Sequence, residues 1–133
     1  HYRGYPLDEA IDMFREIKSE ANVSILTDFH ESWQAEKLKD VIDVLQIPAF
    51  LCRQTDMLVC ASKTGLPVNV KKAQFISAED TKKIVNKVKL SGSSDVWLTE
   101  RGNIFGYGNY VVDMRNLVIM KRFAPVIFDA SSF

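Results

Sequence analysis

Five short apolar runs recur along the chain, and each is continuous rather than alternating between apolar and polar residues. Many of their residues are β-branched, and successive runs start roughly 20 to 30 residues apart. Continuous runs of this kind predict parallel strands that are buried on both faces. The runs are Ser24 to Phe29, Val44 to Phe50, Leu66 to Lys72, Val96 to Gly102 and Pro125 to Ala130.

The segments between these runs have the period of amphipathic helices. After Pro6 come two acidic residues and an apolar face, which predicts a helix that ends near Asn22. Thr55 is placed to cap a further helix that stops at Gly65. Ser77 to Asp80 has the spacing of a capping box ahead of another helix. The first apolar face consists of Leu7, Ile11, Phe14 and Ile17.

Helix and strand therefore alternate five times, which predicts an α/β fold of the (β/α)8 TIM-barrel type. A closed barrel needs eight strands and about 250 residues. We therefore expect residues 1–133 to be one incomplete domain, the central part of a barrel with about five β/α units. Such a piece has two open sheet edges, so alone it is expected to aggregate or to stay partly folded.

Composition adds little about partners. Hydrophobic residues make up 47% and charged residues 26%, with 17 basic and 17 acidic residues. This balance argues against nucleic acid or an anionic membrane as partner. No apolar run approaches the ~20 residues of a membrane span, and no signal peptide is recognisable. Cys52 and Cys60 are too few for a disulfide scaffold, so we expect thiols in a reducing cytoplasm.

Polar residues cluster where the predicted strands end, which is where barrel enzymes keep their chemistry. Lys71 and Arg101 follow neighbouring strands and would suit a small dianionic ligand. The alternative is that they form structural ion pairs with Glu100 and Asp28. The clusters are Asp28 with His30, Gln46, Lys71 with Lys72, Glu100 with Arg101, and Asp129.

Three further features have both a functional and a structural interpretation. The Asp28 carboxylate could orient the His30 imidazole for proton transfer, or His30 could be an ordinary loop residue. Gln46 needs a partner inside its strand, either a ligand or a neighbouring strand. The loop around Gly106 and Gly108 could close over a substrate or simply form a turn. A metal site from this chain alone is poorly supported, because it has two histidines and no closely spaced cysteines.

Six sequence blocks together resemble 3-deoxy-D-manno-octulosonate-8-phosphate synthase, in order and over nearly the whole chain from Tyr2. That family is a (β/α)8 barrel and a cytoplasmic homotetramer. It condenses phosphoenolpyruvate with D-arabinose 5-phosphate, releases phosphate, and supplies lipopolysaccharide biosynthesis in Gram-negative bacteria. The blocks are LTDFHE, LQIPAFLCRQTD, VNVKKAQF, TERGNIFGYGN, VVDMR and APVIFDA.

The resemblance implies specific roles for the polar residues at the strand ends. Lys71 and Arg101 would hold phosphoenolpyruvate, and Gln46 and Gln74 would line the same pocket. Arg53 would reach across a subunit interface to the phosphate of the neighbouring subunit's sugar, with Phe50 at the same boundary. The implied catalytic residues are Asp28, His30, Lys71 and Arg101.

One position departs from the family pattern. Ser132 stands where the family has a histidine, which is a ligand in the metal-dependent members. A divalent metal is therefore expected only if the full protein belongs to that class. Two alternatives stay open beside the synthase. One is a non-catalytic barrel fragment or paralogue with an assembly or binding role. The other is a sister synthase that uses erythrose 4-phosphate or N-acetylmannosamine.

Overall fold

The computed structural model describes residues 4–104 and 108–132. The chain folds into alternating helices and strands, with two single turns of 3₁₀-helix at Ala49–Leu51 and Ala130–Ser132. The strands are β1 (Leu26–Asp28), β2 (Val44–Ile47), β3 (Val68–Lys71), β4 (Val96–Glu100), β5 (Asn103–Ile104), β6 (Tyr110–Val111) and β7 (Val126–Phe128). The helices are α1 (Leu7–Glu20), α2 (Ser32–Leu38), α3 (Thr55–Lys63), α4 (Thr81–Leu90) and α5 (Arg115–Met120).

Five strands form one parallel sheet in the order β1-β2-β3-β4-β7. Each strand pairs with the next strand of the sheet along the chain, and a helix precedes each one. This sequential order is that of an arc of a (β/α)8 barrel. The predicted fold class and the five predicted units are confirmed.

The short strands β5 and β6 form a separate antiparallel hairpin, in which Ile104 pairs with Tyr110. The sequence analysis interpreted this region only as a loop that closes or turns. Strands of two residues are too short to show a period of two, so hydrophobic patterning could not reveal them. Gly106 lies outside the described residues.

The hydrophobic core lies between one face of the sheet and the helices. The core side chains of the central strands are fully buried, while the edge strands are more open. Leu26 on β1 is 42% exposed and Ile127 on β7 is 41% exposed. Burial on both faces is therefore confirmed for β2, β3 and most of β4 but not for β1 and β7, which have a neighbouring strand on only one side. Core residues from strands and helices include Leu45, Val68, Val70, Leu98, Leu58, Ala61, Ile84 and Val88.

The predicted helix ends are partly confirmed. Gly65 follows α3 with φ of +78°, a left-handed conformation that stops a helix and favours glycine. The α1 helix ends at Glu20, two residues before Asn22. Thr55 begins α3 but makes no side-chain cap. The Ser77 hydroxyl accepts a hydrogen bond from the Asp80 amide at 3.2 Å, yet that turn precedes α4 rather than opening it.

An exposed ion pair ties α1 to the segment before β2. Lys18 Nζ lies 3.0 Å from Asp43 Oδ2, and the Ile25 amide donates to the same oxygen at 2.7 Å. The Ile25 amide and the Lys18 ammonium lower the pKa of Asp43. These contacts fix the end of α1 beside the start of the sheet.

Cys52 and Cys60 are both free thiols, as the sequence predicted. Burial raises the pKa of each thiol, so both are poor nucleophiles at neutral pH. Within residues 4–104 and 108–132, no helix is both long and apolar enough to span a bilayer.

Candidate active site at the carboxyl ends of the strands

A row of hydrogen-bonded polar side chains crosses the face of the sheet opposite the helices. The Gln46 amide nitrogen donates to Asp28 Oδ1 at 2.6 Å, and the Asn69 amide nitrogen donates to Gln46 Oε1 at 2.8 Å. The Thr99 hydroxyl donates to Asn69 Oδ1 at 2.9 Å. Asp28 pairs in register with Gln46, and Gln46 with Asn69, so these side chains point to the same face. We call Asp28, Gln46, Asn69 and Thr99 the polar row.

Three members of the polar row, Gln46, Asn69 and Thr99, line an open cleft of about 510 Å³ on this face, whereas Asp28 lines a separate cleft of about 210 Å³. Lys71, in register with Thr99, also lines the larger cleft and is half-buried. Asp129 reaches it from the end of β7 and accepts a hydrogen bond from the Ser131 hydroxyl at 2.7 Å. The cleft therefore carries the Lys71 ammonium and the Asp129 carboxylate beside amide and hydroxyl groups, so an oxygen-rich ligand would place its anionic group at the Lys71 side.

Lys71 and Arg101 do not form the structural ion pairs considered as an alternative. Among the described residues neither side chain has an acidic partner within 4.0 Å. Asp28 instead accepts from Gln46, and the partner of Glu100 is Lys72. The charge of Lys71 therefore stays available to a ligand in the cleft.

Arg101 and Gln74 each have a buried polar atom without a hydrogen-bond partner in the described part of the chain. These atoms are Arg101 Nε and Gln74 Oε1. Arg101 directly follows β4, and Gln74 lies in the turn after β3, where its carbonyl accepts from the Ile104 amide at 3.1 Å. Neither residue lines the cleft that contains Lys71. Buried polar atoms normally find a partner, so both positions have unused capacity for a ligand or a water molecule.

A buried ion pair between Lys72 and Glu100 lies next to these residues and was not predicted. Lys72 Nζ lies 3.6 Å from Glu100 Oε1 and donates to the Gly102 carbonyl at 3.0 Å and to Asn103 Oδ1 at 3.2 Å. The Gly102 amide donates to the same Glu100 oxygen at 2.8 Å. Burial lowers the pKa of Lys72, and Glu100 partly opposes this. The alternation of side chains along a strand could have predicted this pair, because it turns Lys72 and Glu100 to the face opposite Lys71 and Thr99.

Asp28 and His30 both line the separate cleft of about 210 Å³. β1 ends at Asp28, so His30 lies in the loop that follows the strand. No hydrogen bond joins them within the described ranges. His30 is exposed, and its backbone amide donates to Gln34 Oε1 at 2.8 Å.

Arg53 and Phe50 lie away from the polar row, on the surface after β2. Phe50 is 72% exposed, and Arg53 is also exposed. Arg53 shares a separate cleft of about 220 Å³ with Lys83 and Lys87 of α4. This chain therefore does not bring Arg53 or Phe50 to the cleft of Lys71.

Histidine, cysteine and acidic side chains form no group of three or more that could hold a metal ion among residues 4–104 and 108–132. The side chain of Ser132 lies outside the described residues. The described side chains therefore do not by themselves fit a divalent metal.

Parallel strands in sequential order, with polar side chains and the Lys71 ammonium at their carboxyl ends, are the arrangement of an α/β-barrel protein. Residues 1–132 match the model of the DAHP synthetase I family, and the chain belongs to this family.

Relatives within the family are similar over nearly the whole chain. The 2-dehydro-3-deoxyphosphooctonate aldolase of Koribacter versatilis is 56% identical over 130 residues, which are 98% of this chain and 47% of the relative. The proteins of the same name from Colwellia psychrerythraea and Fusobacterium nucleatum are 52% and 51% identical, again over 98% of this chain. This name denotes the octulosonate-phosphate synthase, so the predicted resemblance is confirmed. The chain spans about half the length of these curated relatives.

Proposed function

We propose that this chain, as part of a complete barrel, belongs to a 3-deoxy-8-phosphooctulonate synthase. The enzyme would condense phosphoenolpyruvate with D-arabinose 5-phosphate to 3-deoxy-D-manno-octulosonate 8-phosphate and phosphate, for lipopolysaccharide biosynthesis. The observation that carries this proposal is the half-buried Lys71 ammonium, which faces the cleft beside the polar row without an acidic partner among the described residues. The names of the similar relatives support the choice of substrates.

The reaction forms one carbon–carbon bond and breaks one carbon–oxygen bond. C3 of phosphoenolpyruvate attacks the aldehyde carbon of the sugar, whose oxygen takes up a proton. Water adds at C2 and loses one proton, and phosphate then leaves with its bridging oxygen and takes up the second proton of that water as C2 becomes a ketone. The water supplies the ketone oxygen, so atoms and charge balance.

The residues of this chain would act by binding and electrostatics. Lys71 and Arg101 would hold the phosphate and carboxylate of phosphoenolpyruvate and stabilise the charge that moves between them. Gln46 and Gln74 would complete the same pocket. Asp28, whose carboxylate is held by Gln46, would lie near the reacting carbons, with the exposed His30 near the opening.

Assembly is part of the proposal. Phe50 and Arg53 are both exposed on this chain, which suits a place at a boundary between subunits. In a homotetramer Arg53 would bind the sugar phosphate of the neighbouring subunit. The protein would act in the cytoplasm, and a divalent metal would be needed if it belongs to the metal-dependent class.

Phosphate release by the full-length protein tests the proposal. Phosphoenolpyruvate is supplied with D-arabinose 5-phosphate, erythrose 4-phosphate or N-acetylmannosamine in separate reactions, each before and after dialysis against EDTA. Release with arabinose 5-phosphate alone supports the proposal. Release with another aldehyde indicates a sister synthase, and no release with any of them indicates a barrel with an assembly or binding role.

A further inference from the structure

The hydrogen bonds of the polar row all run in one direction. An ionised carboxylate can only accept, so Gln46 must turn its NH₂ group toward Asp28. Its carbonyl oxygen then faces Asn69, which must in turn present its own NH₂ group. The Asn69 oxygen is left facing Thr99, whose hydroxyl must donate. The charge of Asp28 and the hydroxyl of Thr99 thus define the orientation of both amides.

Burial makes the opposite orientation of either amide unfavourable. Asn69 is 2% exposed and Thr99 is 3% exposed, so water cannot replace a lost partner at low cost. If one amide flipped, a donor would face a donor or an oxygen would face an oxygen. The row ends at Asp28 Oδ1, which accepts from the Gln46 amide nitrogen.

We propose that Asn69 and Thr99 are positioning residues, which orient the Gln46 amide at the cleft of Lys71 and, through Gln46, hold the Asp28 carboxylate in place. This inference rests on the proposed function for its effect on catalysis. Neither residue is needed to contact the reacting carbons, because each acts through the next member of the row. Asn69 and Thr99 carry no role in the family resemblance described above.

A matched pair of substitutions at Thr99 separates the hydroxyl from side-chain shape. Thr99→Val keeps the volume but removes the donor, and Thr99→Ser keeps the donor. We expect Thr99→Val to lower kcat/KM by about three- to ten-fold, the value of one hydrogen bond, and Thr99→Ser to stay near the parent. Asn69→Asp keeps the shape of Asn69 but cannot donate to Gln46, so it should lower kcat/KM in the same way.

A double variant tests whether the effect passes through Gln46. In a Gln46→Leu background, Thr99→Val should cause no further loss of kcat/KM, because the amide that it orients is absent. If the losses of Thr99→Val and Gln46→Leu multiply, or if Thr99→Val behaves like the parent, the inference is overturned.

A readout without substrate distinguishes this inference from the proposed function. Hydrogen exchange of the Gln46 side-chain amide, followed by NMR in the full-length protein, should accelerate by about three- to ten-fold in Thr99→Val and remain unchanged in Thr99→Ser. Unchanged exchange in Thr99→Val overturns the positioning role. If exchange responds as expected but the parent protein releases no phosphate, the proposed function fails and the orienting role of the row stands.

Discussion

Lys72 Nζ lies 3.6 Å from Glu100 Oε1, and both side chains are completely excluded from solvent. Each residue is the chain neighbour of a cation predicted to bind the ligand: Lys71 precedes Lys72, and Arg101 follows Glu100. Successive side chains of a strand point to opposite faces. The ion pair therefore joins the ends of β3 and β4 on one side of the sheet, while Lys71 faces the cleft on the other.

Breaking this pair should destabilise the fold strongly. Lys72→Met leaves Glu100 buried without its cation, and we expect it to lower the free energy of unfolding by about 3 to 5 kcal/mol. The double variant Lys72→Met/Glu100→Leu should be more stable than Lys72→Met, because no buried charge remains unpaired. Urea denaturation of the full-length protein measures both. If the double variant lost as much stability as Lys72→Met and Glu100→Leu lose together when each is made alone, this account would be contradicted.

The same lysine predicts a dependence of stability on pH. Burial lowers the pKa of Lys72 below its ordinary value of 10.5, so the unfolded chain binds more protons between the folded and unfolded pKa values. Stability should therefore rise with pH in that interval below 10.5. The variant Lys72→Met/Glu100→Leu should lack the part of this increase in stability that comes from Lys72. The measurement is the slope of the free energy of unfolding against pH. Equal slopes in this variant and the parent would argue against a lowered pKa.

Under the proposed function, the two cations Lys71 and Arg101 should be essential for turnover. Lys71→Ala or Arg101→Ala removes charge stabilisation and should reduce kcat/KM for phosphoenolpyruvate by about 100-fold. Arg101→Lys should recover little, because lysine lacks the planar fork of arginine. Lys63→Ala, at the exposed end of α3, is the matched control and should keep the parent activity. Equal effects at Lys63 and Lys71 would point to overall charge rather than to the cleft.

Gly65 should be required for its backbone conformation alone. Its φ of +78° disfavours residues with a Cβ, whereas no heavy atom lies within 4 Å of the position that a Cβ would take. Gly65→Ala is expected to cost about 1 to 2 kcal/mol. Gly65→Asn should cost less, since asparagine tolerates this conformation better. Thermal unfolding compares the two, and identical losses would show that something other than φ determines the cost.

The sequence was sufficient to predict the order of the helices and the parallel strands, but not the residues at which each one begins and ends. Continuous β-branched runs identified all five parallel strands, because central strands are apolar on both faces. The hairpin of β5 and β6 was missed because strands of two residues have no measurable period. Ser77 was expected to open a helix, yet that helix begins at Thr81, after a turn that uses the same local hydrogen bond.

Position at a strand end selected Lys71 and Gln46 from the sequence, and both line the cleft, whereas Arg101 and Gln74 do not. The contacts that support Gln46 were not predicted. Asn69 and Thr99 lie inside apolar strands, and only the register between strands shows that they meet Gln46. Asp28 and His30 share a cleft, but no hydrogen bond joins them within the described residues, because β1 ends at Asp28 and His30 lies in the following loop.

The neighbouring charges at the ends of β3 and β4 also limit which insertions and deletions the chain can tolerate. Inserting one residue between Val70 and Lys71 would leave the amino-acid composition of the site almost intact but move Lys71 into the buried place of Lys72. The inserted residue would then take the place of Lys71 at the cleft. Length changes should therefore accumulate in the helix-to-strand loops, while substitutions at the two lysines and at Glu100 and Arg101 stay rare in variants selected for function.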